Sequence, residues 1–335
     1  MKTLFDVTQI NGMTLNNRII RSATWEGMAD SSGRLTDRLL RVYDSLVSGG
    51  VGLIITSATY FTKDSTPLPG MTGFYDDSFI SDYRQFTDRI HAGGCPVILQ
   101  MTYAGRDGEM WTPSSPSRED IQSIVQAFGD GAYRARQAGF DGVQVHAGHG
   151  FFLSQFLSSQ ANTRRDEYGG TVENRTRILL EIYEAIRART GDDFNIWIKI
   201  NGTDMADETA GQGACRYACQ QLARRGVNAI EISGGTAELT QKLDHPHHES
   251  IFRDEAASIA AAVNVPVVLV GYNRTPSVME DVLNSTPIEY FSLSRPLLRE
   301  PDLVNRWKQD FQKKAECISC NGCFRADGNV CVFTD

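Results

Sequence analysis

The sequence predicts an α/β fold, a TIM (β/α)8 barrel with a short cysteine-rich C-terminal tail, on three observations. Short aliphatic or β-branched runs recur along the chain, most without polar alternation, as parallel strands buried on both faces require. A stretch of helical period follows each run, and several of these stop at glycine just before the next run. No G-x-G-x-x-G follows the first run. That tells against a doubly wound sheet, whereas repeated equivalent βα units suit a closed barrel.

The runs expected as strands are 18–23, 51–57, 96–101, 140–146, 195–200, 228–233, 266–271 and 289–294. The helices expected between them are 36–47, 78–91, 121–138, 172–189, 210–224, 254–263, 276–283 and 302–313. Gly49-Gly50, Gly93-Gly94, Gly139, Gly191 and Gly226 stand where helices end. A short apolar helix is expected from Phe152 to Leu157, and Thr171 is a good N-cap for 172–189. The expected units are a barrel at 1–313 and a tail at 314–335.

Composition narrows the function. The chain of 335 residues is 41% hydrophobic and 22% charged, enough to bury a large core without disulfides. A net charge of −8 argues against a nucleic-acid surface and against an anionic membrane. No apolar run reaches transmembrane length, and MKTLFDVTQINGMTL lacks the apolar core of a signal peptide, so the cytoplasm is the expected compartment.

In a barrel, chemistry collects at the C-terminal ends of the strands. The fourth run ends on His146, with His149 three residues on: a polar pair among small residues, presented to a ligand. Gln100 closes the third run, and its amide can donate to and accept from a flat heterocycle edge. Lys199 sits in an apolar run, which is costly without a partner, either an anionic ligand or an internal salt bridge. Gly271 and Ser294-Arg295 end the last two runs, where barrels of this kind bind phosphate. His245, His247, His248 and Glu249 form a loop that is a solvated segment or a metal site.

The stretch HAGHGFFLSQFLSSQANTRRDEYGG closely resembles the strand-four signature of the Old Yellow Enzyme family of FMN-dependent reductases, and the resemblance runs from residue 3 to about 310. It implies that His146 and His149 hold the oxygen of a small-molecule substrate over the flavin, with NAD(P)H as electron donor. It implies that Ala23, Thr24, Ala58, Gln100 and Lys199 contact FMN, and that Gly271, Ser294 and Arg295 cradle its phosphate. Homo-oligomers are common in the family. Two departures stand out: Trp25 replaces a smaller residue near the flavin, and Phe151 replaces a proton-donating tyrosine. Trp25, Tyr60, Phe151 and Tyr272 are therefore expected around the substrate. Tyr103 is the leading substitute proton donor, with Tyr60, Tyr272 and water as alternatives.

The expected function is hydride transfer through FMN to an activated alkene, quinone or nitro compound. The alternatives are an amine or ether dehydrogenase-demethylase, or an electron-transfer subunit dependent on a redox partner protein. Cys317, Cys320, Cys323 and Cys331 motivate the last of these. C-x2-C-x2-C with a fourth cysteine is ligand spacing for a cluster or zinc. The tail resembles the [4Fe–4S] segment of the subgroup containing 2,4-dienoyl-CoA reductase and trimethylamine dehydrogenase. There the fourth cysteine lies further on and the chain continues into FAD- and dinucleotide-binding domains. A [4Fe–4S] cluster, zinc, or no metal at all are the three expectations for the tail.

Overall fold

The computed structural model describes residues 1–65, 67–202, 208–234, 248–325 and 328–334. Eight parallel strands close into a barrel: β1 (Ile19–Arg21), β2 (Leu53–Tyr60), β3 (Val97–Met101), β4 (Gly142–Ala147), β5 (Asn195–Asn201), β6 (Ala229–Ser233), β7 (Val267–Val270) and β8 (Tyr290–Leu293). Each pairs with its neighbour in sequence, and β1 pairs with both β8 and β2, so no edge is left open. The outer helices are α1 (Asp37–Ser48), α2 (Ile80–Ala92), α3 (Arg118–Gln137), α4 (Val172–Thr190), α5 (Glu208–Arg225), α6 (Arg253–Ala260), α7 (Pro276–Ser285) and α8 (Leu303–Gln309). The fold class is as expected.

Differences lie at the ends of elements. Helix α3 begins at Arg118, not at residue 121, because Ser117 and Asp120 form a reciprocal capping box that satisfies backbone donors of the first turn. An antiparallel hairpin, Thr8–Ile10 with Met13–Leu15, was not anticipated, although its Asn11-Gly12 turn carries the sequence signal for one. The hairpin closes the bottom of the barrel, since Ile10, Met13 and Leu15 pack with Ile20, Leu53, Ile98, Trp197, Val268 and Tyr290.

Side chains alternate across a strand, so the residues two positions beyond that apolar floor also face the lumen. Apart from Ile55 on β2 and Val270 on β7 they are polar: Ser22, Gln100, Lys199 and Ser292, joined by Gln144 and Glu231. On β2 a register shift between Ile55 and Ala58 breaks the alternation and sets Ala58 opposite Gln100. The barrel is therefore filled in layers, apolar below and polar above, and the polar layer lies beneath His146. Among the described residues no helix is long and apolar enough to cross a membrane.

The tail lies against the barrel. Ala315 N–H donates to the Arg274 carbonyl at 2.9 Å, and Asn329 N–H to the Glu26 carbonyl at 2.7 Å. The buried Asn329 amide also donates to the carbonyl of Trp25.

Candidate active site at the C-terminal face

The polar layer is one connected network. Glu231, on β6, is fully buried and accepts from Ser22 Oγ (2.7 Å), Ser292 Oγ (2.5 Å), Gln144 Nε2 (2.7 Å) and Lys199 Nζ (3.4 Å). Lys199 also donates to Ser22 Oγ at 2.8 Å, and Gln100 Nε2 donates to Gln144 Oε1 at 2.7 Å. Burial pushes the Glu231 carboxyl up, but Lys199 and the three other donors outweigh it and hold the group below its usual range. Lys199 thus has the internal ion pair that was one of its two expected partners. Sequence reasoning missed Glu231 and Gln144, although a carboxylate inside the apolar run AIEIS raises the same question as the lysine. The two charges are direct register partners across β5 and β6.

Above this layer stand the histidines. Their ring centroids lie 5.2 Å apart, and the Phe151 ring is 5.4 Å from that of His146. His149 has a positive φ of 60°, rare for a residue with a Cβ, and its N–H donates to Asn201 Oδ1 at 2.9 Å, which holds that backbone in place. Its Nε2 pairs with Ser233 Oγ at 2.7 Å. His146 is buried and its Nδ1 has no hydrogen-bond partner. Burial, then His149 and Lys199, hold His146 well below the ordinary imidazole range. Burial and Lys199 lower His149 to about 3. Both rings are neutral at pH 7.

Ala23 and Thr24 follow β1 and Ala58 lies near the end of β2, and Thr24 Oγ1 lies 2.8 Å from Ser294 Oγ. At the β7–β8 corner Gly271 takes a φ of 124°, and a Cβ there would lie 2.6 Å from the Phe252 ring. Asn273 ties the two strand ends together, donating to the carbonyls of Leu269 (2.9 Å) and Ser292 (3.3 Å). Arg295, expected on a phosphate, lies over the Tyr272 ring at 4.5 Å and donates through Nη1 to Asn321 of the tail at 2.5 Å. It joins the phosphate-type corner to the cysteine segment.

Two residues expected around the substrate, Tyr60 and Trp25, and the expected proton donor Tyr103 have the following surroundings. Tyr60 stacks on Tyr75 at 5.5 Å, with its hydroxyl directed to the Ser32 carbonyl. Tyr103 is 1% exposed among Phe61, Trp111 and Phe152, and burial raises its hydroxyl to about 12. Tyr60 closes β2 and Tyr103 lies two residues past the end of β3. Trp25 packs against Gly27, and its buried indole Nε1 has no partner. A buried ion pair beside it, Arg21–Glu26 at 3.0 Å, also escaped the sequence reading.

His245 and His247 lie outside the described residues. Glu249 is engaged by Thr275 (2.9 Å) and Lys314 (2.5 Å), and the His248 carbonyl by Arg274 (2.9 Å). Cys317, Cys320, Cys323 and Cys331 line a single small pocket of about 20 Å³ beside Arg295. Burial raises the Cys317 and Cys323 thiols, and Arg295 works against it. Among the described residues no three His, Cys, Asp or Glu side chains form a group able to hold a single metal ion.

The residues at these strand ends suit a flat heterocycle with a phosphate arm. Gln100 and Lys199 have donors and an acceptor that would pair with its polar edge, the β7–β8 strand ends would receive the phosphate, and the buried His146 Nδ1 lacks a partner. The fold and site are those of a barrel oxidoreductase built around a flavin. The chain belongs to the NADH:flavin oxidoreductase / NADH oxidase family, that of Old Yellow Enzyme, whose model matches residues 3–116 and 109–314. It is 31% identical to a metal reductase of Desulforamulus reducens over 96% of this chain and 51% of that one. It is 30% identical to an NADPH dehydrogenase of Halalkalibacterium halodurans over 89% of this chain and 91% of that one. The chain thus spans about half the length of some curated relatives and nearly all of others. The Old Yellow Enzyme homologue of Zymomonas mobilis superposes with a TM-score of 0.79 at 21% identity, over 93% of this chain and 94% of that one, which shows the shared fold.

Proposed function

We propose that this protein takes hydride from a reduced nicotinamide and delivers it, through FMN, to an electron-poor small molecule whose oxygen is bound by His146 and His149. The observation that carries this reading is the neutral histidine pair, one ring with an unpaired buried nitrogen, directly over a polar layer that contains one cation. FMN, when bound, supplies reversible hydride acceptance and donation. The chain's residues do the rest. Gln100 and Lys199 orient the ring edge, and the β7–β8 corner takes the phosphate. Neutral imidazoles donate to a carbonyl, quinone or nitro oxygen and stabilise the negative charge that builds there as hydride arrives at the substrate. Because neither ring starts charged, a neutral acceptor meets no desolvated imidazolium.

Phe151 stands where a proton donor would serve alkene reduction, and Tyr103 is walled in by aromatic rings. Quinone or nitro reduction, in which solvent protonates a heteroatom, therefore fits the site better than addition across an alkene. The test is NADH or NADPH oxidation by the FMN-loaded protein with a quinone, a nitroarene and an enone as acceptors. Quinone turnover at least tenfold above enone turnover supports the proposal; no turnover with any acceptor at full FMN occupancy contradicts it.

The cysteine pocket favours a second reading, electron exchange with a partner protein through a tail-bound [4Fe–4S] cluster. The four thiols lie together beside Arg295 in one short segment, and C-x2-C-x2-C with a fourth cysteine is ligand spacing for a cluster. An N,N-dimethylglycine/sarcosine dehydrogenase of Chromohalobacter salexigens, 26% identical, aligns over 96% of this chain, so amine dehydrogenation belongs to this reading. Iron and acid-labile sulfide analysis of protein purified without oxygen tests it.

A further inference from the structure

We propose that Glu231 is a positioning residue that fixes the polarity of the flavin-facing edge and sets the reduction potential of the bound FMN. The inference rests on the flavin reading above and concerns two residues that reading uses, Gln100 and Lys199.

The argument begins with what a carboxylate can do: it accepts hydrogen bonds and donates none. Glu231 Oε2 faces Gln144, so Gln144 must turn its NH2 group toward it, at 2.7 Å. Gln144 then presents its carbonyl oxygen to Gln100, which must answer with its own NH2, also at 2.7 Å. Two amides that could each sit either way round are thereby locked in one orientation, and Gln100 is left with its carbonyl oxygen and one N–H for a ligand. That pair matches the alternating N–H and C=O edge of a flavin pyrimidine.

The other carboxylate oxygen governs Lys199. An ammonium has three donors; Ser22 takes one at 2.8 Å and Glu231 Oε1 a second at 3.4 Å, so one remains for the ligand. The two charges are 3% and 0% exposed, so water does little to screen them. A flavin in this site meets a nearly neutral ion pair, not an isolated cation. Without the carboxylate, Lys199 presents its full charge, which favours the reduced, more negative cofactor.

The test measures the midpoint potential and FMN affinity of wild type, Glu231→Gln, and the double variant Lys199→Met/Glu231→Gln. Glutamine keeps the volume but can donate or accept, so it releases the amide chain while removing the charge. The expected result for Glu231→Gln is at least a tenfold shift of the two-electron equilibrium toward reduced FMN, about 30 mV upward, with FMN bound more weakly. In the double variant, which removes both charges, the potential returns toward wild type; the same variant serves if the single one does not fold. A Glu231→Gln potential equal to or below wild type overturns the proposal, as does a double variant that keeps the single variant's shift. Wild-type protein that takes up no FMN overturns the flavin reading, and this inference with it.

Discussion

Replacing His149 with asparagine is predicted to flatten the acid sensitivity of the fold by a calculable amount. Burial and Lys199 hold His149 at about 3, against an ordinary value of 6.5 in the unfolded chain. A histidine with a lowered folded-state pKa adds stability above pH 6.5 and loses it as pH falls, because the unfolded chain takes up a proton that the fold refuses. From pH 7.5 to 5.5 the loss is about 1.4 kcal/mol for one such group, and any folded value below about 4.5 gives nearly the same figure. His146, lowered by burial and by His149, contributes a second loss of the same sign. His91, raised by its hydrogen bond to Asp141, acts in the opposite direction, its stabilisation being lost as pH rises, and is common to both proteins. Urea unfolding at the two pH values gives the comparison. Wild type should lose about 1.4 kcal/mol more than His149→Asn. Equal losses would refute the claim that His149 enters the fold uncharged.

Three further outcomes follow from the same geometry. Gly271→Ala forces a side chain into a φ of 124° and against Phe252, so FMN affinity should fall by about tenfold or more, read by fluorescence titration; unchanged affinity would remove the phosphate site from this corner. Asn329→Ala strips the carbonyl of Trp25 of its buried donor and should cost about 1–3 kcal/mol, with the tail cut faster by protease; an unchanged unfolding midpoint and cleavage rate would show that the tail does not hold the β1 loop. On the cluster reading, Cys323→Ser should abolish the iron and sulfide content of wild type while FMN stays bound; full iron content in that variant would exclude Cys323 as a ligand.

The barrel was legible because its strands carry a signal that survives without tertiary context: apolar runs, glycine stops and helical periods at regular intervals. The N-terminal hairpin was missed although Asn11-Gly12 announced it, since its two three-residue strands are too short for a period to register. Within the site, the histidines, Gln100 and Lys199 were visible as polar residues at the ends of apolar runs. Gln144 and Glu231 lie in the same kind of run, yet their role comes from neighbours across the barrel: Gln144 aligns with Gln100, and Glu231 with Lys199. Register between strands about thirty or more residues apart is fixed by closure of the barrel, and a single run says nothing of it. Arg295 shows the reverse case. Its position at a phosphate-type corner was legible, but not the tail asparagine it also bonds, because that contact depends on where a loop docks.

The central claim is that His146 and His149 bind the oxygen of the acceptor, and the most direct measurement is steady-state quinone reduction by FMN-loaded wild type and by His146→Ala/His149→Ala. The account predicts that both proteins bind FMN equally, while kcat/KM for quinone falls at least a hundredfold in the double variant, about 2.7 kcal/mol of transition-state stabilisation. Equal kcat/KM with FMN bound in both would contradict it.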